Sequence, residues 1–176
     1  EGLAAREAGG ARAYVAVLRP LAEAGFTVVI PKQPLGIAFL SLGALDGARS
    51  QHPEIEDWIV GGHSLGGTVA AFEADETAAP GAAPVIGLLL FASYPAGDMS
   101  EAEIAVLSIS GSEDGLATPA KIEASRAELP PGSEFVVIDG ASHAQFGAYG
   151  SQSGDGVASI GAEVAREQIA TASLAF

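Results

Sequence analysis

The fold is decided by one stretch of the sequence, Trp58-Ile59-Val60-Gly61-Gly62-His63-Ser64-Leu65-Gly66-Gly67. Its first three residues are apolar and predict a short strand, and the apolar pattern that follows Gly67 predicts a helix. Gly62 and Gly66 flank the serine between them. A strand, a Gly-x-Ser-x-Gly turn and a helix in this order are typical of a nucleophile elbow, in which the serine hydroxyl projects from the sheet edge. We therefore predict that Ser64 is a catalytic nucleophile.

A serine is a weak nucleophile at neutral pH, so it needs a histidine base and a carboxylate that orients the base. In this architecture the chain order is serine, carboxylate, histidine. Of the three histidines, His52 precedes the serine in a polar stretch before proline, which is typical of a surface turn. His63 is adjacent to the serine, where neighbouring side chains diverge, and this favours packing or support. His143 follows an apolar strand pattern at 135–138, and we predict that it is the base.

Two aspartates are candidates for the acid, since Asp98 and Asp114 each follow an apolar run after the elbow. We favour Asp114, because residues 111–115 form a tight turn and Thr118-Pro119 then begins a helix. Glu113 is the neighbour most easily confused with it. An ordinary turn aspartate that bonds its own backbone is the other interpretation of Asp114. The ordered serine, aspartate and histidine, each after a separate strand, favour a catalytic triad.

Two further motifs accompany the elbow, Gly111-Ser112-Glu113-Asp114-Gly115-Leu116-Ala117-Thr118 and Ser142-His143-Ala144-Gln145-Phe146-Gly147-Ala148-Tyr149-Gly150 with Gly154-Asp155-Gly156 after it. With these motifs, the chain from about Ala13 to Phe176 resembles an α/β-hydrolase-fold family of small bacterial serine hydrolases, in the broad dienelactone-hydrolase-like group. The resemblance implies a carboxylic-ester hydrolase with Ser64 as nucleophile, Asp114 as acid and His143 as base. Dienelactone hydrolases themselves use a cysteine nucleophile, and the absence of cysteine here disfavours that narrower assignment.

The front of the chain departs from the pattern of this family. Such hydrolases place a strand and a Gly-rich turn before the first helix, and that turn supplies one backbone N–H of the oxyanion hole. The residue after the serine, Leu65, supplies the other N–H. Residues 1–12 contain no β-branched residue and predict no strand. Gly9 and Gly10 are the nearest candidates for the donor turn, with Gly10 preferred, whereas a frayed or helical start would leave the hole half formed.

The apolar pattern along the rest of the chain predicts an α/β fold with a doubly wound, mostly parallel sheet, because strands that are apolar on both faces alternate with helices. We expect one domain over residues 1–176, with the N-terminal strands reduced or missing. The predicted strands are 26–30, 58–60, 84–92, 104–110 and 134–139. The predicted helices are 13–24, 36–49, the one after the elbow, 119–127 and 157–173.

The connection 92–103 is short, although hydrolases of this fold commonly insert a lid there. We therefore expect a minimal hydrolase fold without a lid domain and with an open site. Tyr94, Met99 and Phe146 are candidates for lining the acyl side of the site, and the alternative role for each is core packing.

Composition narrows the function classes. With 48% hydrophobic and 17% charged residues, the chain belongs among well-packed globular proteins. A net charge of −14 disfavours nucleic acid and anionic membrane surfaces as partners. No apolar run reaches the roughly 20 residues that span a bilayer, and the start of the chain shows no signal peptide. No metal-ligand spacing or dinucleotide fingerprint is present, so we predict neither metal nor cofactor. The oligomeric state and the compartment, cytoplasmic or secreted, stay open.

These features together predict acyl transfer from a small-molecule ester to water through an acyl-enzyme. A thioesterase or an acyltransferase with the same triad is the alternative among enzymes. A non-catalytic binding protein on the same fold is an alternative of another class, because the unusual front of the chain weakens the expected oxyanion hole.

Overall fold

A computed structural model describes residues 10–31, 43–75, 81–148 and 150–176. Its sheet contains four strands in sequence order, and each strand pairs in parallel with its neighbour. The strands are β1 (Trp58–His63), β2 (Val85–Phe91), β3 (Ala105–Gly111) and β4 (Glu134–Ile138). Because the strands are parallel, their carboxyl ends and the loops that follow them lie at the same edge of the sheet.

Five α-helices accompany this sheet in the described residues: α1 (Val15–Glu23), α2 (Ala44–Gln51), α3 (Leu65–Asp75), α4 (Pro119–Ser125) and α5 (Ala162–Ala175). Short 3-10 helices cover Gly10–Tyr14, Arg126–Glu128 and His143–Phe146. Pro119 begins α4 at a position where its missing N–H costs nothing, and the Thr118 side chain accepts the N–H of Lys121. The sequence signals for this helix start were therefore correct.

The core lies on both faces of the two central strands. Leu89 and Leu107 pack on one face with Val17 of α1 and Ile169 of α5. The opposite face carries a second cluster, whose buried members are Ala70, Ala71, Leu88, Leu90, Met99, Val106 and Leu129. Full burial of one such Leu or Ile side chain contributes about 1.5–3 kcal/mol. Apolar residues on both faces, covered by helices on both sides, confirm the predicted doubly wound parallel sheet.

The predicted strand 26–30 is wrong, because these residues form no strand. Phe26 is 56% exposed, while Val29 packs against a small apolar cluster of Leu45, Ala48 and Trp58. The apolar pattern of residues 26–30 correctly indicated contacts with other apolar side chains. A pattern within one segment does not show whether another strand lies beside that segment and pairs with it. In the described part of the chain, β1 pairs with β2 alone.

The second and the last helix also differ from their predicted bounds. The predicted helix 36–49 is a helix from Ala44 onward, after Gly43, and its residues 36–42 lie outside the described residues. The last helix begins at Ala162 rather than at 157. The reason is tertiary, since the N–H groups of Ser159 and Ile160 donate to the carbonyl of Gly140, at 2.9 and 3.4 Å, instead of entering a helix.

Candidate active site

The turn between β1 and α3 has the backbone strain of a nucleophile elbow. Ser64 has a φ of 55°, in the left-handed region that non-glycine residues rarely occupy. Neighbouring chain holds it there, because its N–H donates to the carbonyl of Phe91 at 3.0 Å and its carbonyl accepts the Ser93 hydroxyl at 2.6 Å. A Cβ at Gly62 would collide with the backbone of Gly66. Gly62 is therefore needed for the tight packing of strand against helix.

A buried acid and a buried histidine meet at the carboxyl ends of β3 and β4. Asp114 Oδ2 lies 2.8 Å from His143 Nδ1, and the two residues are 3% and 1% exposed. Asp114 Oδ1 accepts the backbone N–H groups of Leu116 and Ala117, each at 2.8 Å. Since a carboxylate oxygen accepts, the neutral tautomer that fits this contact has its proton on Nδ1 and its lone pair on Nε2. The Asp114 carboxylate thus fixes the orientation of the His143 ring.

The second ring nitrogen of this histidine is not held by a hydrogen bond within the described residues. His143 Nε2 is buried and has no hydrogen-bond partner within the described residues, so the Ser64 hydroxyl does not donate to it in this structure. Catalytic hydrogen bonds are often long in structures without substrate and tighten when substrate binds. The structure therefore contains the acid–histidine pair and the strained serine, and lacks the hydrogen bond that would join them.

A second histidine packs against the first. The ring centroids of His63 and His143 are 4.5 Å apart, and the His63 ring is parallel to that of Phe146 at 6.1 Å. Tyr14, at the end of the first 3-10 helix, places its hydroxyl 3.2 Å from His63 Nδ1. His63 thus links the front of the chain to the ring of His143.

The other candidates from the sequence lie away from this pair. Asp98 is an exposed turn residue whose carboxylate accepts the Ser100 N–H at 2.9 Å, and this hydrogen bond lowers its pKa. Glu113 is exposed beside Asp114. His52 is half-buried, with Nδ1 3.3 Å from Glu54 Oε1. Of the acids considered from the sequence, Asp114 is the one that contacts His143.

The predicted oxyanion donors lie in different settings. Leu65 is the first residue of α3, where a backbone N–H has no partner inside the helix. Gly10 begins the first 3-10 helix, is exposed and has a φ of 44°, whereas Gly9 lies outside the described residues. Both donor assignments stay predictions.

The predicted substrate contacts are mostly core residues. Phe146 and Met99 are 0% and 4% exposed and belong to the clusters on opposite faces of the sheet. Tyr94 is half-buried and packs against the first cluster. Their contacts with substrate stay predictions. The connection between β2 and β3, all of which is described, contains only turns and irregular chain.

Two classes of feature are missing from the described residues. No group of three or more His, Asp or Glu side chains there could hold a metal ion. No helix there is long and apolar enough to cross a membrane.

One carboxylate at this site, Asp155, was not predicted from the sequence, although the Gly154-Asp155-Gly156 turn belongs to a motif that points to the family. The carboxylate accepts backbone N–H groups from the loops of both Asp114 and His143. An aspartate between two glycines directly after the histidine motif was the available signal, because such a turn brings a carboxylate close to backbone.

Comparison with known proteins decides the family. The model of the alpha/beta hydrolase family matches residues 7–167. The chain belongs to the alpha/beta hydrolase family. This confirms the resemblance seen in the sequence at the level of the family, while the dienelactone-hydrolase-like group stays a prediction. None of the curated proteins compared with the chain matches it.

Solved structures of other proteins share the fold. A protein from Xanthomonas campestris that is assigned to the alpha/beta hydrolase superfamily is 17% identical with a TM-score of 0.62, and 96% of this chain and 94% of that chain are covered. A thermophilic esterase from Thermogutta terrifontis is 16% identical with a TM-score of 0.58, and 77% of this chain and 79% of that chain are covered. A protein of unknown function from Agrobacterium tumefaciens is 19% identical with a TM-score of 0.55, covering 73% of this chain. This chain spans 66% of the length of that last protein.

Proposed function

We propose that this protein is a serine hydrolase that cleaves carboxylic esters through an acyl-enzyme, with Ser64 as nucleophile, His143 as base and Asp114 as acid. The observation that carries the proposal is the buried hydrogen bond of 2.8 Å between Asp114 and His143, at the same sheet edge as the strained Ser64. A buried carboxylate that fixes one imidazole nitrogen and leaves the other unpartnered is the arrangement that general-base catalysis needs. Membership of the alpha/beta hydrolase family supports hydrolase chemistry.

In the proposed reaction, His143 Nε2 takes the proton of the Ser64 hydroxyl while the serine oxygen attacks the ester carbonyl. The carbonyl carbon becomes tetrahedral, and its oxygen takes the negative charge. His143 then gives the proton to the leaving alcohol as the acyl-enzyme forms. Water, activated by the same nitrogen, releases the acid and restores Ser64. Asp114 holds His143 in the productive tautomer and stabilises the imidazolium that forms in each half of the reaction.

The negative oxygen of the tetrahedral intermediate needs hydrogen-bond donors. We assign one to the N–H of Leu65, since the first N–H groups of α3 have no partner within the helix. We assign the second to the N–H of Gly10, in the segment that leads to Tyr14 and the elbow histidine. Each such donor contributes on the order of 10²-fold to 10³-fold in rate.

Two other functions compete with this proposal. A thioesterase or acyltransferase uses the same residues, and added alcohols or amines that capture the acyl group would reveal transfer. A non-catalytic binding protein is favoured by the exposed position of Gly10 and by the missing hydrogen bond between Ser64 and His143. The binding alternative does not explain why a strained serine lies at the same sheet edge as a buried acid–histidine pair.

The test is covalent labelling with an organophosphonate probe for serine hydrolases, followed by peptide mass spectrometry. We expect one label per chain, on Ser64, and turnover of short-chain p-nitrophenyl esters. Ser64→Ala should lose both, whereas Ser151→Ala, at an exposed serine, should keep both. A folded protein that neither takes the label nor turns over ester would overturn the proposal in favour of binding.

A further inference from the structure

Asp155 lies in the chain between the His143–Phe146 3-10 helix and α5, and its carboxylate is half-buried. It accepts four backbone hydrogen bonds. Oδ1 takes the N–H groups of Gly156, His143 and Gly115, at 2.7, 3.1 and 3.2 Å. Oδ2 takes the N–H of Ala144 at 2.9 Å. Three of these four donors belong to the two loops that carry the proposed acid and base.

The position of these donors is specific. Gly115 directly follows Asp114 in the chain, and the His143 N–H belongs to the proposed base itself. The carboxylate therefore joins the loop after β3 to the loop after β4 within one residue of each member of the acid–base pair. The two loops are also joined directly, because the N–H of Glu113 donates to the carbonyl of Ala141 at 3.0 Å. Asp155 adds contacts at the residues where the geometry of the pair is set.

The backbone at this junction is packed without space to spare. A Cβ at Gly156 would overlap the carbonyl oxygen of Glu113. The turn that carries Asp155 thus lies directly on the acid loop, and the main chain there has little room to shift. A small displacement of the carboxylate would be transmitted to Asp114 and His143 rather than absorbed.

The charge of Asp155 matters to these contacts. Partial burial by itself would raise the pKa of Asp155, but the N–H groups of Ala144, Gly115, His143 and Gly156 outweigh it and hold the pKa below its usual value. The group is therefore ionised at neutral pH, and its negative charge lies beside the backbone of His143. Hydrogen bonds from N–H groups to an ionised carboxylate are about twice as strong as those between neutral groups.

We propose that Asp155 is a positioning residue for the reaction described above: it fixes the Asp114 loop against the His143 loop and so sets the direction of His143 Nε2. It touches neither substrate nor the reacting atoms. The inference rests on the proposed function of Ser64, Asp114 and His143. A merely structural role would instead predict that loss of the carboxylate lowers stability and leaves the chemistry of the folded protein unchanged.

The test is Asp155→Asn, which keeps the shape but presents one acceptor oxygen and an NH₂ group to N–H donors. The matched control is Asp139→Asn, at an exposed aspartate in the loop after β4 that accepts the Ser112 hydroxyl at 3.1 Å. We expect kcat and the rate of Ser64 phosphonylation to fall about 10-fold to 100-fold in Asp155→Asn, with KM within about threefold. The control should stay within about twofold of the wild type.

A second readout separates positioning from stability. Loss of a negative charge beside His143 makes protonation of its ring less favourable, so the acidic limb of the kcat/KM profile should move to lower pH in Asp155→Asn. The control should leave the limb in place. Wild-type phosphonylation together with an unmoved acidic limb would overturn the proposal.

Two further arms keep the result decisive. If Asp155→Asn does not fold, Asp155→Glu retains the charge but moves it by one methylene. That variant should keep the acidic limb and lose several-fold in kcat, and a wild-type kcat would overturn the positioning role. If the wild type is not labelled at Ser64, the proposed function fails. The positioning role is then decided by NMR titration of the His143 ring, and identical titrations in wild type and Asp155→Asn would overturn it.

Discussion

The loops at the carboxyl ends of the strands and the front of the chain both reach the candidate site, but they are held differently. The loops are fixed by backbone hydrogen bonds, as between Ser64 and Phe91 or Glu113 and Ala141. The front reaches the site through a side chain, the Tyr14 hydroxyl at 3.2 Å from His63 Nδ1, as well as through a backbone hydrogen bond from the Ala148 N–H to the Ala13 carbonyl at 2.9 Å. The loops set the proton-transfer geometry, and the front is expected to complete the oxyanion hole. Mutations can therefore test these two parts of the proposed mechanism separately.

Among substitutions in the loop region, we expect Asp114→Asn to cause the largest loss of activity. An amide in place of the carboxylate can leave His143 in the wrong tautomer, and in a serine protease this change costs about 10⁴-fold in kcat. We expect a loss of that order in p-nitrophenyl ester turnover. Asp98→Asn is the matched control, and its turnover should stay within about twofold of the wild type. A large loss of turnover in Asp98→Asn alone would indicate that the acid is Asp98, in the loop after β2, and not Asp114.

The front of the chain is tested by Gly10→Pro, which removes the proposed donor N–H. We expect the turnover rate to fall by about 10²-fold to 10³-fold. The phosphonate probe should still label Ser64 in this variant. Gly10→Ala keeps the N–H and reports the strain of a side chain at a φ of 44°. Equal turnover in wild type and Gly10→Pro would remove Gly10 from the oxyanion hole.

Tyr14→Phe tests the contact between the two regions, because it deletes the hydroxyl that contacts His63 and keeps the ring. We expect the free energy of unfolding in urea to fall by about 0.5–1.5 kcal/mol, the net contribution of one hydrogen bond. Turnover should change less than in either variant above, because His143 and Asp114 keep their own hydrogen bond. An unchanged unfolding curve would show that this contact does not tie the front to the loops.

The smallest effect concerns pH and the loop region alone. Asp155 has its pKa lowered from 3.8 by backbone hydrogen bonds in the folded state, so its contribution to stability is present above that value and is lost as pH falls through the lower folded pKa. Urea unfolding midpoints of the wild type should therefore fall more between about pH 5 and about pH 3 than those of Asp155→Asn. Parallel pH dependences would contradict this role of the charge.

The sequence predicted the parts of the fold that depend on local pattern. The apolar runs of β2 and β3, the elbow and the Thr118-Pro119 helix start each carry their signal within a few residues. The meeting of Asp114 with His143 followed from strand order, because parallel strands deliver their loops to one edge.

The remaining features depend on contacts between distant segments. Residues 26–30 have the pattern of a strand without a ladder in the described chain, and residues 157–161 are kept out of α5 partly by bonds to Gly140. The ring contact of His63 with His143 and the bonds of Asp155 to Gly115, His143 and Ala144 likewise join separate segments of the sequence. Periodicity and short motifs do not encode such pairings.

The most direct test of the central claim is a rapid-quench experiment with a p-nitrophenyl ester. We predict a burst of about one equivalent of p-nitrophenolate per chain, accompanied by a peptide that carries one acyl group on Ser64. Ester turnover in the wild type without any acylated Ser64, or acylation that persists in Ser64→Ala at another residue, would contradict it.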